Sequence, residues 1–272
     1  MAFTTVTPAP PLRGAIETIW DWVVDPGDFR FERVLPQPGS ALIINLLEDQ
    51  TRVYTDDEER RCERLPGTVF SGQSTRSFVI DSAEQIAVMG VAFRPGGTVP
   101  FFRERMDLLC DRHTALEDLA GAPGRVLRER LLHARDARER LAILERWLAA
   151  RFAAIPLHPA VGFALGVFSA SPLVQRVGEV IDASGMSARR FGTLFREQVG
   201  IGAKRFARMQ RFRAVVAQVQ RGCRIEWAHV AADCGFHDQP HLVREFREFS
   251  GMTPAAYVAQ RGQHVNHIAL PD

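Results

Sequence analysis

Two pairs of histidines are the first residues whose spacing suggests chemistry. His237 and His241 stand four apart, and His264 and His267 three apart. A pair four apart on one helix face can share a metal ion. Here His237 precedes the helix-capping Asp238, so the two imidazoles do not share a helical turn. The second pair sits in the C-terminal tail with no third ligand. The N-terminal half has no histidine before His113, which argues against a cupin-type metal cluster. The cysteines, Cys62, Cys110, Cys223 and Cys234, form no CxxC pair and fit neither a zinc nor a disulfide framework. GxSxG, P-loop and GxGxxG motifs are absent, and nothing supports a Ser, Cys or Asp nucleophile. The expectation is a protein that is not an enzyme and needs no cofactor or metal.

Arginine offers a different chemistry. Its planar fork of donors matches guanine O6 and N7 and also phosphate oxygens. Lys204 is the only lysine in the chain, although base composition of the genome explains that bias first. Net charge is only +2, but residues 171–272 hold 14 basic and 9 acidic side chains, against 20 and 23 in residues 1–170. A basic rear and a mildly acidic front suit nucleic acid at one end, as does chance variation of a few charges.

An internal repeat decides between them. Phe195-Arg196-Glu197-x-x-Gly200 returns as Phe246-Arg247-Glu248-x-x-Gly251, 51 residues later. Ser187 then matches Asp238, Phe191 matches Leu242, and Phe206 matches Tyr257. Ser187 and Asp238 are good N-caps, because their oxygens accept backbone N–H groups that the helix leaves unpaired. Pro240 suits a first turn, and Gly200 and Gly251 suit helix ends. Residues four and eight beyond each cap are apolar and share a core-facing side. Each capped helix follows an amphipathic stretch and a glycine turn: Leu173–Asp182 with Gly185, then Glu226–Asp233 with Gly235. One copy reads equally well as a plain helical hairpin. Two in register read as tandem helix-turn-helix units, joined by a helix over Ala203–Gln220.

The caps also assign the outward faces. Ala188, Arg189, Arg190, Thr193 and Arg196 point out of the first helix, with Gly192 among them. Gln239, Pro240, Val243, Arg244 and Arg247 point out of the second. All are candidate DNA contacts. Arg189 and Arg244 are the expected base readers, and Arg196 and Arg247, farther along, the expected phosphate contacts. A solvated surface charge is the plain alternative for each arginine.

Elements that hold these helices divide the chain in two. Residues 1–13 are Pro/Thr-rich and expected to be irregular. Ile19–Val24, Ala41–Leu47, Thr68–Phe70, Ser77–Ile80 and Ile86–Phe93 read as strands separated by Pro-Gly turns. Leu108–Leu119, Arg125–His133 and Asp136–Phe152 have helical spacing, and the prolines of Ile155–Pro159 mark the boundary. The fold class expected is α+β. It has an N-terminal β-rich, barrel- or sandwich-like domain with a helical extension (1–154), then an all-α domain of two helix-turn-helix units (155–272). Trp20 and Trp22, on one face of a strand, are candidates to line a ligand pocket, although core packing explains them better. Arg94, before Pro95-Gly96-Gly97, is a candidate anion contact or a brace for that turn. No membrane span or signal peptide is expected, and the chain reads as cytoplasmic.

The run Ala231-x-x-Cys234-Gly235-Phe236-x-Asp238-Gln239-x-His241-Leu242-x-Arg244-x-Phe246-Arg247-x-x-x-Gly251-Met252-Thr253-Pro254-x-x-Tyr257 resembles the second helix-turn-helix signature of the AraC/XylS family of transcription regulators. Gly185-Met186-Ser187, Phe191, Phe195-Arg196 and Gly200 match the first. That unit departs at Ile181, where the family has alanine, and at Gly192, where members often present a base reader. Arg33–Pro36, Leu42–Leu46 and Gly90–Gly97 are similar to an uncharacterised N-terminal domain of some AraC-type regulators. The resemblance implies a sequence-specific regulator that binds double-stranded DNA under a β-rich sensor domain of unknown ligand. A small-molecule effector, RNA polymerase and a second copy of the chain are candidate partners. The alternatives are control by a protein partner, or a DNA-targeted enzyme or repair protein using the same module. A repair protein would need a metal-thiolate domain that four scattered cysteines do not provide.

Overall fold

The computed structural model describes residues 2–23, 30–54, 61–170, 176–220, 225–262 and 264–270. Among the described residues, the N-terminal part supplies ten strands: β1 (Ala2–Val6), β2 (Ile16–Val23), β3 (Phe31–Val34), β4 (Ala41–Asn45), β5 (Gln50–Tyr54), β6 (Cys62–Pro66), β7 (Thr68–Ser71), β8 (Phe78–Asp81), β9 (Ala87–Phe93) and β10 (His113–Ala115). Three helices follow, α1 (Leu116–Ala120), α2 (Ala122–Leu132) and α3 (Ala137–Arg151). The C-terminal part is α4 (Pro159–Ala170), α5 (Val177–Ala183), α6 (Ala188–Val199), α7 (Ala203–Val219), α8 (Trp227–Asp233), α9 (Gln239–Ser250), α10 (Pro254–Gln260) and a last strand, β11 (His267–Leu270).

The strands form two antiparallel sheets, ordered β1-β2-β9-β4-β7-β10 and β11-β3-β8-β5-β6. A register shift after Ile16 in β2, with alternation along β4, turns Ile16, Ile19, Leu42 and Ile44 to one core. They share a core with Phe70, Met89 and Phe93, and with Leu127, Leu141, Leu144 and Leu148 of the helical extension. Asp21 is buried on the same strand and is held bidentately by Arg140 of α3, at 2.5 and 3.1 Å. A buried carboxylate is tolerated only when paired in this way. Helices α4 to α10 enclose a second core, rich in phenylalanine: Phe168, Phe191, Phe195, Phe206, Phe212, Phe246 and Phe249.

The structure corrects several expectations. Residues 2–6, expected to be irregular, form edge strand β1 on β2. Leu108–Leu119 is not one helix. Asp111 takes a positive φ of 55° and its carboxylate accepts from the Thr75 N–H and hydroxyl, which breaks the helix, and residues 113–115 pair with β7 instead. Strands β3, β5 and β6 lacked the apolar runs that marked the others. The C-terminal segment, expected to belong with the helices, crosses back as β11 and pairs with β3 of the N-terminal part. Part of the expected helix Leu173–Asp182, together with Val24, Gly222 and Cys223, lies outside the described residues.

Candidate nucleic-acid interface

The two repeats fold alike. Ser187 caps α6 by accepting from the Arg190 N–H at 3.4 Å, and Asp238 caps α9 by accepting from the His241 N–H at 2.7 Å. Both helices end at a left-handed glycine, Gly200 at φ 100° and Gly251 at φ 76°, a conformation that costs an L side chain energy. The preceding turns carry Gly185 and Gly235, also at positive φ. The second turn is one residue longer, because its cap comes three residues after the glycine rather than two. Phe191 and Phe195, then Leu242 and Phe246, face the core.

The opposite faces are open. Ala188, Arg189, Arg190, Thr193 and Arg196 of α6 are exposed, as are Gln239, Pro240, Arg244 and Arg247 of α9. Val243 is half-buried and packs partly on the core, and Gly192 is half-buried too. Among the described residues, no carboxylate forms an ion pair with Arg189, Arg190, Arg244 or Arg247. These cations are therefore available to an outside anion, whereas the arginines of α7 are committed within the fold.

That commitment locks the second unit to its connecting helix. Glu245, only 4% exposed, accepts from Arg208 Nε and Arg211 Nη2, both at 2.9 Å, and lies 3.1 Å from His241 Nε2. Burial pushes this carboxyl up, but Arg211 and Arg208 outweigh it and hold the group below the ordinary carboxylate range. Glu248 pairs with Arg208 as well. The first unit differs. Leu194 stands where the second has Glu245, and Glu197, the counterpart of Glu248, pairs with Arg105 of the N-terminal part at 3.3 Å. The sequence missed this network. Its one available signal was Arg208 and Arg211, three apart on one face of α7.

The N-terminal part grips both helices at their C-terminal ends. Arg33, 8% exposed, donates to the Ser250 carbonyl at 2.6 Å, and the Ser77 hydroxyl reaches the same oxygen at 3.1 Å. The Ser77 N–H donates to the Phe249 carbonyl at 2.9 Å. At the first helix, Gly200 abuts Gln73 and Met106 so closely that an added Cβ would stand 3.1 Å from Gln73 Cβ. Gln73 also donates to Met209 Sδ at 3.4 Å. The tail completes the hold, since Leu35 N–H donates to the Asn266 carbonyl at 2.8 Å and His267 Nδ1 lies 2.7 Å from Glu32.

The structure does not bring together Trp20, Trp22 and Arg94, the candidates for a ligand pocket, and neither tryptophan belongs to a buried core cluster. The two tryptophans lie on the face of β2 opposite Ile19, with Trp22 against Phe3 and His264, at ring distances of 5.2 and 4.5 Å. Arg94 follows Phe93, which pairs with Ile16 at the other end of β2, and it donates to the Arg13 carbonyl at 3.2 Å. It braces the turn. Among the described residues no cluster of histidine, cysteine and carboxylate side chains could hold a metal, and no helix is long and apolar enough to cross a membrane.

Two capped helices in tandem, each behind a glycine turn and each with unpaired arginines on its open face, define a double helix-turn-helix DNA-binding module. Residues 180–260 match a family model described as a helix-turn-helix domain, and residues 4–115 match a domain of unknown function (DUF6597). The C-terminal part therefore carries a helix-turn-helix domain, of the kind that the resemblance to the AraC/XylS family implies. Comparison with curated proteins gives no match. Among solved structures, the chain is similar to unsaturated fatty acid-bound ToxT from Vibrio cholerae strain SCE256, at 10% identity and TM-score 0.48, covering 94% of each chain. It is also similar to the DNA-binding domain of AdpA, a global transcriptional factor, in complex with a target DNA. There identity is 28% and TM-score 0.32, over 37% of this chain and 90% of the other. A third is the xylose-binding transcription activator XylR, at 16% identity and TM-score 0.34, over 43% and 30%.

Proposed function

We propose that this protein is a sequence-specific regulator in which the N-terminal domain, residues 1–154, sets the relative placement of the two recognition helices, and a small-molecule effector resets it. The observation that carries the reading is the double grip. The domain touches α6 at Gly200 and α9 at Ser250 and Gly251, the ends opposite the capped N-termini. The N-terminal halves of both helices stay free for major grooves, which recur along one face of DNA every ~34 Å. Arg189 and Arg244 read bases, while Arg196 and Arg247 hold phosphates, with Ala188, Arg190, Thr193, Gln239, Pro240 and Val243 completing the surface. Movement at the grip then changes which groove spacing the pair fits.

Selection of bound fragments from random DNA by the full chain tests this. The expected outcome is an enriched motif of two short elements about one helical turn apart. Uniform recovery of all sequences overturns the reading.

A further inference from the structure

We infer that a cavity between the N-terminal domain and the linker to α4 binds a small zwitterion with an apolar body, of the α-amino-acid kind. This rests on the effector-controlled reading above and names the site and the ligand class.

The cavity has a volume of about 440 Å³, and Val99, Phe101, Glu104, Leu119, Arg151 and Ile155 line it. Small-molecule sites generally measure about 300–1,000 Å³ and combine apolar walls with a few convergent polar groups. Three charged side chains line it: Arg103, which is exposed, and the half-buried Glu104 and Arg151, the latter with its guanidinium 5.0 Å from the centre of the Trp147 ring. Glu104 Oε2 and Arg151 Nε are both buried and make no hydrogen bond. A buried polar atom without a partner is costly, and a charged one more so. Glu104 calls for a donor, best a cation, and Arg151 for an acceptor, best an anion. One head group bearing an ammonium beside a carboxylate answers both. A purely anionic ligand would leave Glu104 uncompensated, and a purely cationic one would leave Arg151 so. The rest of the lining suits an apolar side chain, because Phe101 and Leu119 form the wall and Ile155, 54% exposed, has apolar surface for a ligand to cover.

Both walls lead to the first recognition helix. Glu104 is followed by Arg105, which pairs with Glu197 of α6 at 3.3 Å, and by Met106, whose carbonyl lies 3.3 Å from where a Cβ on Gly200 would stand. On the other wall, the Ala153 N–H donates to the Pro100 carbonyl at 2.8 Å, and five residues on the His158 N–H donates to Gln198 of α6 at 3.0 Å. An occupant that draws Glu104 and Arg151 together therefore acts on the C-terminal end of α6 from two sides.

The test is thermal denaturation and titration calorimetry on the full chain with L-phenylalanine and L-leucine. Two half-headed analogues run alongside: 3-phenylpropionate, which keeps the carboxylate, and 2-phenylethylamine, which keeps the ammonium. A saturable rise in melting temperature is expected for the amino acids. Each analogue should bind at least about tenfold more weakly, the loss that goes with one charged contact. Glu104→Gln should abolish the preference for phenylalanine over 3-phenylpropionate, and Leu119→Trp should fill the cavity and remove the response. Circular dichroism checks that each variant is folded, and Ile155→Trp serves if Leu119→Trp is not. Absence of any saturable response, or one unchanged in both Glu104→Gln and the filled variant, overturns the assignment. If random-DNA selection yields a motif while no probe binds, the cavity assignment falls and the regulator reading stands. If no motif is enriched, that reading falls and takes the assignment with it.

Discussion

Arg33 donates to the carbonyl of Ser250 across 217 residues of sequence, at 2.6 Å. Ser250 is the last residue of α9, so one guanidinium from the N-terminal sheet satisfies a carbonyl that the helix itself leaves open. Gly251 follows, and its lack of a side chain lets the contact form, because a Cβ there would stand 2.0 Å from Arg33 Nη1. A helix-ending glycine thus has a second duty, which is to admit the other domain.

Arg33→Ala should therefore loosen the interdomain contact. The expected loss is about 1.5–3 kcal/mol of unfolding free energy in urea, the range for a hydrogen bond to a charged group. Exchange of the Ser77 N–H, which donates to Phe249, should speed up. An unchanged exchange rate at Ser77 would show that this arginine does not hold the domains together.

Gly251→Ala should cost about 1–2 kcal/mol from the left-handed backbone alone, plus the displacement of Arg33. In the double variant the second part is already gone. Its destabilisation should fall short of the two single losses added together. Strict additivity in equilibrium denaturation would rule out the contact.

Glu245→Gln removes the acceptor charge that neutralises Arg208 and Arg211. Breaking a buried ion pair costs several kcal/mol, and the partial exposure of Arg208 reduces this to about 2–3 kcal/mol. The folded carboxyl sits below its ordinary range, so the unfolded chain binds the proton first as pH falls. This contribution is complete above the ordinary glutamate range and fades in acid. Leu194→Ala, at the matching place in the first unit, should show no such pH dependence. A pH-independent loss in Glu245→Gln would contradict the assignment.

What the sequence revealed and what it hid divide along one line. Ser187, Asp238, Gly200 and Gly251 act on backbone within a turn of themselves, so the helix-turn-helix units were readable as spacing. Strands β2, β4 and β9 were readable for the same reason, because their apolar runs are local. Strand β11 exists only because β3 offers it an edge, and nothing in His267–Leu270 announces that partner. Exposed β6 carries Glu63 and Arg64 where a buried strand would carry apolar residues. Arg33 could not be distinguished from any surface arginine until Ser250 was beside it. Likewise Trp20, Trp22 and Arg94 were candidates for one pocket only while their distance along the sheet was unknown. The cavity assigned to the ligand draws on residues 99–104, 119 and 150–155, which share no motif.

Arg244→Ala and Arg247→Ala should separate base reading from phosphate contact. Arg244 lies in the half of α9 nearer its cap and should cost ~1–3 kcal/mol on the preferred site while relaxing one base position. Arg247 should weaken preferred and scrambled DNA alike and reduce the slope of affinity against salt by about one. Titration of each variant on both DNAs at two salt concentrations gives the answer. An equal loss on every sequence for Arg244→Ala would reassign it to the backbone.

His113 supplies a pH signature of the same sign as Glu245, but at higher pH and from burial rather than from an ion pair. Burial between β7 and the edge of the Phe78 ring pushes its imidazole down to about 4, against an ordinary value of 6.5, and nearby Asp111 offsets this only in part. Between those values the unfolded chain takes up a proton that the folded one refuses. Stability should therefore fall as pH drops from about 6.5 towards 4, by up to ~3 kcal/mol from this group. His113→Phe keeps an aromatic ring at the site and has no proton to take up. Its stability, measured by urea denaturation at steps of pH, should be flatter than the parent's across that window. Parallel curves for the two proteins would mean that the imidazole titrates in the fold as it does in water.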